Sequence, residues 1–157
     1  MSKTTRATQA LDRAGVAYAV HTYDYDASAD RIGLHAAESL GVEPARMLKT
    51  LMTLVDGKPV CVVLASDREV AMKRLAAAVG GKAAEMMKPA DAERITGYHV
   101  GGISPLGQKR AVPTVVDAAA LDHEKVFLNG GQRGVQVELS PQDLMRALGA
   151  ATASVAT

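Results

Sequence analysis

The sequence of 157 residues contains no tryptophan, one phenylalanine and one cysteine. With so few aromatic residues, the core has to be built from valine, leucine, isoleucine, alanine and methionine side chains. A single cysteine excludes a disulfide within the chain, which fits a reducing compartment. Cys61 stands in the apolar run from Val60 to Ala65. We therefore expect a buried, unreactive thiol there rather than a nucleophile.

The chain also lacks an excess of charge and a long apolar run. Its net charge is +1, which argues against a protein that holds a long nucleic acid by charge alone. That charge still allows a small positively charged site that binds one end of an RNA. No signal-peptide core or transmembrane run is present, so we expect a soluble, cytoplasmic protein without a membrane partner. The length suits one domain with a substantial core.

Standard catalytic and metal-binding patterns are missing as well. There is no HExxH, no CxxC and no G-x-S-x-G, and the four histidines stand in unrelated contexts. We therefore predict no metal and no cofactor. An enzyme without an obvious nucleophile has to rely on positioning, on backbone dipoles and on groups that belong to its substrate.

The most informative stretch that is present runs from Gly97 to Arg110 and reads GYHVGGISPLGQKR. Adjacent glycines let a backbone approach a ligand closely, so Gly101 and Gly102 could direct N–H groups at a carbonyl or phosphate oxygen. The following Ser104 to Gly107 has the composition of a turn. A tight connection between two strands explains the same residues equally well.

A lysine at the beginning of a strand is the second notable feature. Strand geometry places Lys49 on the face of Leu51, Thr53 and Val55. Lysine packs poorly on an apolar face, so its side chain either extends to water or lines a pocket where its charge has a partner. Tyr23 stands in a polar, aromatic segment that fits either a surface strand end or a site for a base or ribose.

Periodicity and cap residues predict the elements of the chain. The helices are expected at 3–14, at 30–40, after a cap at Ser66 or Asp67, at 89–96 and after Ser140. The strands are expected at 18–23, 48–55, 59–65, 114–117, 125–128 and 135–139, with hairpin turns at 56–57 and 130–131. Asp143 is expected to close a capping box with Ser140. We assign residues 1–149 to the domain and expect 150–157 to fray.

Four ordered segments carry a resemblance to a known family: the stretch above, HTYDYD at 21–26, MLKTL at 47–51, and NGGQRG with VELSPQDL at 129–144. Together they resemble the bacterial YbaK/EbsC-type Cys-tRNA(Pro) deacylases, which are related to the editing domains of prolyl-tRNA synthetases. The resemblance extends from the first helix to Gly149. It implies a single α/β domain with a mixed, mostly antiparallel, curved sheet or partial barrel flanked by helices.

The resemblance also implies an activity, which is hydrolysis of the ester between cysteine and the 3′ end of tRNA(Pro). In the mechanism proposed for the family, the cysteine thiol attacks its own carbonyl. Lys49 would then hold the acceptor end, Tyr23 would help seat it, and Gly101 and Gly102 would donate N–H groups to the scissile carbonyl. The remaining candidates to border the pocket are Ser104, Asn129 and Asp143.

The resemblance also implies a protein partner, and the sequence leaves several other questions open. Prolyl-tRNA synthetase is the expected protein partner, and Lys109 and Arg110 either meet phosphates outside the pocket or form a solvated basic turn. The alternative functions are the same chemistry on another mischarged tRNA, such as Ala-tRNA(Pro), and a non-catalytic module that binds RNA ends or nucleotides. The sequence leaves the oligomeric state open.

Overall fold

A long β-hairpin forms the centre of the computed structural model, which describes residues 4–26 and 32–157. Strands β2 (Leu48–Val55) and β3 (Lys58–Ala65) pair antiparallel along their full length. Asp56 and Gly57 both adopt positive φ at the turn, as the two-residue hairpin requires. The hairpin predicted at 56–57 is therefore confirmed.

The other elements are arranged around this hairpin. The α-helices are α1 (Arg6–Ala14), α2 (Ile32–Leu40), α3 (Met72–Ala78), α4 (Pro89–Thr96) and α5 (Pro141–Leu148). The remaining strands are β1 (Ala19–Thr22), β4 (Ala84–Met86), β5 (Thr114–Asp117), β6 (Val126–Asn129), β7 (Val135–Leu139) and β8 (Ala151–Ala153). Residues 30 and 31 of the second predicted helix lie outside the described residues.

The strands form two open sheets. The larger has the order β4-β2-β3-β5-β8, with parallel pairing only between β3 and β5 and between β5 and β8. The smaller has the antiparallel order β1-β7-β6. An isolated bridge between Met47 and Phe127 joins the two sheets where β2 begins. The predicted α/β fold with mostly antiparallel strands is thus confirmed, and it is not closed into a barrel.

Both faces of β3 are buried, because the larger sheet lies between two aliphatic clusters. Cys61 and Val63 point into the cluster formed with α1, α4, α5 and the smaller sheet. Val62 and Leu64 point into the cluster formed with α3 and the C-terminal residues. Cys61 is fully buried, as expected, and burial raises the pKa of its thiol to about 12. In the described part of the chain, no helix is long and apolar enough to span a membrane.

Two local predictions are wrong. Ser66 and Asp67 do not cap a helix, because the next helix begins only at Met72, and the Ser66 hydroxyl instead donates to the carbonyl of Pro44. The expected frayed end is also ordered: β8 extends the larger sheet, and Val155 is completely buried. The Asp117 carboxylate accepts the N–H groups of Val155 and Ala156, at 2.9 and 3.2 Å, and this holds the segment in place.

Candidate active site

A cavity of about 300 Å³ opens beside the first half of β2. β4 pairs with β2 only at Thr53–Val55, so it does not cover the edge of residues 48–52. The start of α4, the loop at 100–103 and the hairpin of β6 and β7 close the other sides. The apolar lining comprises Leu48, Leu51, Met52, Met86, Met87, Pro89, Ala92, Val100 and Ile103, and the remaining lining residues are Lys49, Thr50, Gly101, Asn129 and Gln136.

Lys49 lies on this wall as a half-buried side chain. In the β-hairpin it is opposite Leu64, and its odd-numbered strand neighbours Leu51, Thr53 and Val55 include two buried residues. Its position at the start of β2, before β4 covers the edge, places Lys49 on the cavity wall, while Thr53 and Val55 farther along that face are buried. The pocket alternative for Lys49 is thus the one that the structure favours.

Gly101 shares the cavity with Lys49, whereas Gly102 does not. Gly101 has φ 91°, and a Cβ there would overlap the Tyr25 hydroxyl, so this position requires glycine. Its N–H has no acceptor among the described residues. The N–H of Gly102 instead donates to the carbonyl of His99 at 2.8 Å. The expectation that Gly102 offers a second free donor is therefore wrong, because that N–H closes a turn.

Asn129 connects the glycine loop, residues 97–110, to the hairpin of β6 and β7. Its Nδ2 donates to the Gly101 carbonyl at 3.1 Å, and its Oδ1 accepts from the N–H groups of Gly131 and Gln132. Each polar atom of the side chain therefore fixes part of the loop geometry. Asn129 lines the cavity, and it orients the peptide of Gly101 at the same time.

Two polar residues that the sequence did not single out also line the cavity. The Thr50 hydroxyl and the Gln136 Oε1 atom are both buried without a hydrogen-bond partner among the described residues. Buried polar atoms are rarely left unpaired in native proteins, since each costs roughly 1–3 kcal/mol. Gln136 is only 4% exposed. Both residues line the cavity, so the two unsatisfied groups lie in the structure of its wall.

Tyr23 reaches the site indirectly. It packs against the helix of Ala36 and Ala37, and its buried hydroxyl lies beside the Gln136 side chain. Burial raises the pKa of the Tyr23 phenol, while the adjacent Gln136 side chain lowers it in part. Tyr23 thus lies behind Gln136 rather than on the cavity wall. Tyr25 lies closer to the glycine loop and stacks under the guanidinium of Arg133 at 5.3 Å.

The other two candidates have local structural contacts. Ser104 is fully buried, and its hydroxyl accepts the N–H of Leu106 within the turn. The Asp143 carboxylate pairs with Arg146 at 2.9 Å on α5, and the Asp143 N–H donates to the Ser140 cap. Neither residue lines the cavity. Turn chemistry accounts for Ser104, while the Asp143 carboxylate pairs with Arg146, so among the contacts described only the Ser140 half of the predicted capping box forms. A role for either residue at the pocket stays a prediction.

Comparison with known proteins shows the family of the chain. Residues 30–147 match the model of the aminoacyl-tRNA editing domain. The chain is 38% identical over 125 residues to the protein named "Putative Cys-tRNA(Pro)/Cys-tRNA(Cys) deacylase EbsC" of Enterococcus faecalis, covering 78% of this chain and 76% of that protein.

Two further relatives define the extent of the similarity. The chain is 37% identical over 87 residues to the proline–tRNA ligase of Maridesulfovibrio salexigens, which is 55% of this chain and 14% of the ligase. The crystal structure of hypothetical protein APE2540 superposes with a TM-score of 0.88 at 26% identity, covering 98% of this chain and all of that one. The chain belongs to the aminoacyl-tRNA editing domain family.

Proposed function

We propose that this chain is a trans-acting hydrolase that removes cysteine from mischarged Cys-tRNA(Pro). The observation that carries the proposal is that Lys49 and Gly101 line one mostly apolar cavity, together with three polar residues. Such a cavity has room for a small side chain, and its cationic and polar groups suit the ribose and phosphate of an RNA end. The similarity to EbsC and to part of proline–tRNA ligase supports the choice of tRNA(Pro).

The proposed chemistry uses groups of the substrate. The cysteine thiol attacks the carbonyl carbon of its own ester, forming a carbon–sulfur bond and breaking the bond to the ribose oxygen. The thiol proton passes to the leaving ribose oxygen with help from the neighbouring ribose hydroxyl, and the products are free tRNA and a cyclic thioester. The Gly101 N–H would stabilise the oxyanion that forms at the carbonyl, and Lys49 would anchor the acceptor end.

Hydrolysis assays with purified protein test the function. Cys-tRNA(Pro), Ala-tRNA(Pro) and Pro-tRNA(Pro) are compared, and Cys-tRNA(Pro) is expected to lose its amino acid fastest. An apolar pocket distinguishes small side chains by only about 1–3 kcal/mol, so modest activity on alanine is compatible with the proposal. Faster hydrolysis of Ala-tRNA(Pro) would assign the alternative substrate, and binding without hydrolysis of any ester would refute the enzyme.

Replacing Lys49 tests the assignment of the anchor. Lys49→Ala is expected to lower the hydrolysis rate roughly 100-fold or more, by analogy with the loss of one positioned catalytic contact. The matched control is Lys58→Ala, because Lys58 is an exposed lysine of the same hairpin that does not line the candidate active site. A Lys49→Ala protein that is folded and hydrolyses at the wild-type rate would remove Lys49 from the mechanism.

A substrate with a blocked thiol distinguishes deacylation by thiol attack from deacylation by another mechanism. S-Methylcysteinyl-tRNA(Pro) keeps the ester but has no thiol to attack it, so we expect no hydrolysis above the rate without protein. Equal hydrolysis of the methylated and free substrates would overturn the thiol mechanism while leaving the deacylase activity intact.

A further inference from the structure

A second cavity, of about 290 Å³, lies between α1 and the end of the glycine loop. Arg6, Gln9 and Arg13 line it from the helix, since the spacing of three and four residues places them on one face. Gly107, Gln108 and Lys109 line it from the loop. Every charged residue in the lining is therefore cationic.

The loop is held tightly against the helix, so this cavity is a fixed feature of the fold. Gly107 adopts φ 66°, and a Cβ there would overlap the backbone carbonyl of Arg6. Gln108 directs its amide inward, where Nε2 donates to the Ser104 carbonyl at 3.0 Å. These contacts set the position of the neighbouring Lys109 relative to α1.

The three cations have no acidic partner within the described residues. The ion pairs recorded there involve other residues, and Asp12, the neighbour of Arg13, accepts a hydrogen bond from the Tyr18 hydroxyl instead. Like charges that converge without a carboxylate repel one another, and a bound anion relieves this repulsion. Because the whole chain carries only +1, this concentration of positive charge is local.

The two cavities belong to the same loop. Ile103 lines the first and Gly107 the second, so their Cα atoms are at most about 14 Å apart across four residues. One nucleic-acid strand advances about 3.4 Å per nucleotide along its axis. A strand whose 3′ end occupied the first cavity would thus reach the second within a few nucleotides.

Resting on the proposed function, we propose that the second cavity binds a backbone phosphate of the RNA acceptor strand a few nucleotides from its esterified 3′ end. This contact is independent of base identity, because phosphate is common to every nucleotide. It gives the enzyme affinity for the RNA separately from the amino acid in the first cavity.

The test measures RNA binding without hydrolysis. A fluorescently labelled, uncharged RNA hairpin with a base-paired stem and a single-stranded 3′ end is titrated with protein at several salt concentrations. The double variant Arg13→Gln/Lys109→Gln is compared with Lys58→Gln/Lys73→Gln, which removes the same charge from exposed positions that line neither cavity. Thermal unfolding checks that both variants are folded.

We expect the cavity variant to bind the hairpin about tenfold more weakly. The slope of log Kd against log salt concentration is expected to be smaller by about 2 in this variant than in the wild type. The control variant is expected to bind like the wild type. Equal weakening in both variants, or wild-type binding by the cavity variant, would overturn the proposal. Titration with inorganic phosphate identifies the source: saturable phosphate binding combined with unchanged RNA binding in the cavity variant would assign a free anion instead.

The result of the RNA-binding test can be distinguished from the result of the deacylase assays. Weaker RNA binding by the cavity variant supports the phosphate site even if wild-type protein hydrolyses no aminoacyl ester. Hydrolysis of a short aminoacyl ester that lacks the stem is expected to be equal in wild type and cavity variant. A loss of that hydrolysis would place Arg13 and Lys109 in the chemistry and overturn their assignment as distant phosphate contacts.

Discussion

Thr50 and Thr53 stand on the same strand and differ in what their hydroxyls contact. Thr53 is fully buried, and its hydroxyl donates to the Val60 carbonyl at 2.8 Å. Thr50 lines the candidate active site, and its hydroxyl is buried without a partner among the described residues. The first hydroxyl thus stabilises the hairpin, whereas the second makes no hydrogen bond to the described protein.

Replacing each threonine with valine tests this difference, because the two substitutions are chemically identical. Thr53→Val is expected to lower the free energy of unfolding by about 1 kcal/mol, the usual value of a lost hydrogen bond, and to leave hydrolysis unchanged. Thr50→Val is expected to leave stability within about 0.5 kcal/mol and to lower the hydrolysis rate. Urea unfolding and deacylation assays measure both effects, and an equal loss of stability in the two variants would contradict the assignment.

Some residues of the candidate site could be predicted from the sequence and others could not. Lys49 is a charge among apolar strand neighbours, and Gly101 belongs to a pair, so both are unusual in their local context. Gln136 follows the ordinary alternation of an exposed strand, and nothing local distinguishes it from Glu138. The difference arises only in the folded sheet, where Gln136 reaches the cavity and Glu138 pairs with His21 at 2.9 Å.

At the scale of secondary-structure elements, cap and turn residues predict a helix boundary correctly where the contacts that fix it are local in sequence. The boundaries of α4 and α5 follow from Pro89, Gly97, Ser140 and Gly149, which act within a few residues of the helix. α3 has no side-chain cap, and the segment before it bridges to the distant Ala156 through Val70. Such long-range contacts cannot be predicted from local sequence, so the predicted start of this helix is wrong.

Substitutions of Asp117 test how much its carboxylate stabilises the ordered C-terminal segment. Its carboxylate is 4% exposed and accepts two main-chain N–H groups, so Asp117→Ala leaves two buried donors without an acceptor. We expect a loss of about 3 kcal/mol in the free energy of unfolding. Asp117→Asn keeps an acceptor oxygen and is expected to lose less. Urea unfolding measures both, and a change below about 0.5 kcal/mol for alanine would show that β8 needs no such anchor.

At the scale of the whole molecule, stability is expected to decrease at alkaline pH. Burial raises the pKa of Tyr98 to about 12, and its phenol donates to the Leu106 carbonyl. The ordinary pKa of tyrosine is about 10, so the folded protein holds this proton more tightly than the unfolded chain. The resulting stabilisation is complete below pH 10 and is lost as the pH rises through 12. The buried Cys61 thiol acts in the same direction from about pH 8.5, its ordinary pKa.

Urea unfolding of wild type and Tyr98→Phe at pH 7.5 and pH 11 measures the effect. At pH 7.5 the variant is expected to be about 1 kcal/mol less stable, because it lacks the hydrogen bond to Leu106. At pH 11 this difference is expected to shrink, since only the wild type pays the cost of holding a neutral phenol. A difference that stays constant between the two pH values would mean that Tyr98 does not control the alkaline decrease.

The parallel position of β8 has a consequence for synthesis of the chain. Its partner β5 ends at Asp117 and is made before β8, which begins at Ala151. During translation the growing protein therefore presents one side of β5, with its hydrogen-bonding groups unpaired, until β8 emerges. Such an open strand recruits other unfinished chains, so ribosomal stalling between these two points should favour aggregation more than stalling after residue 157.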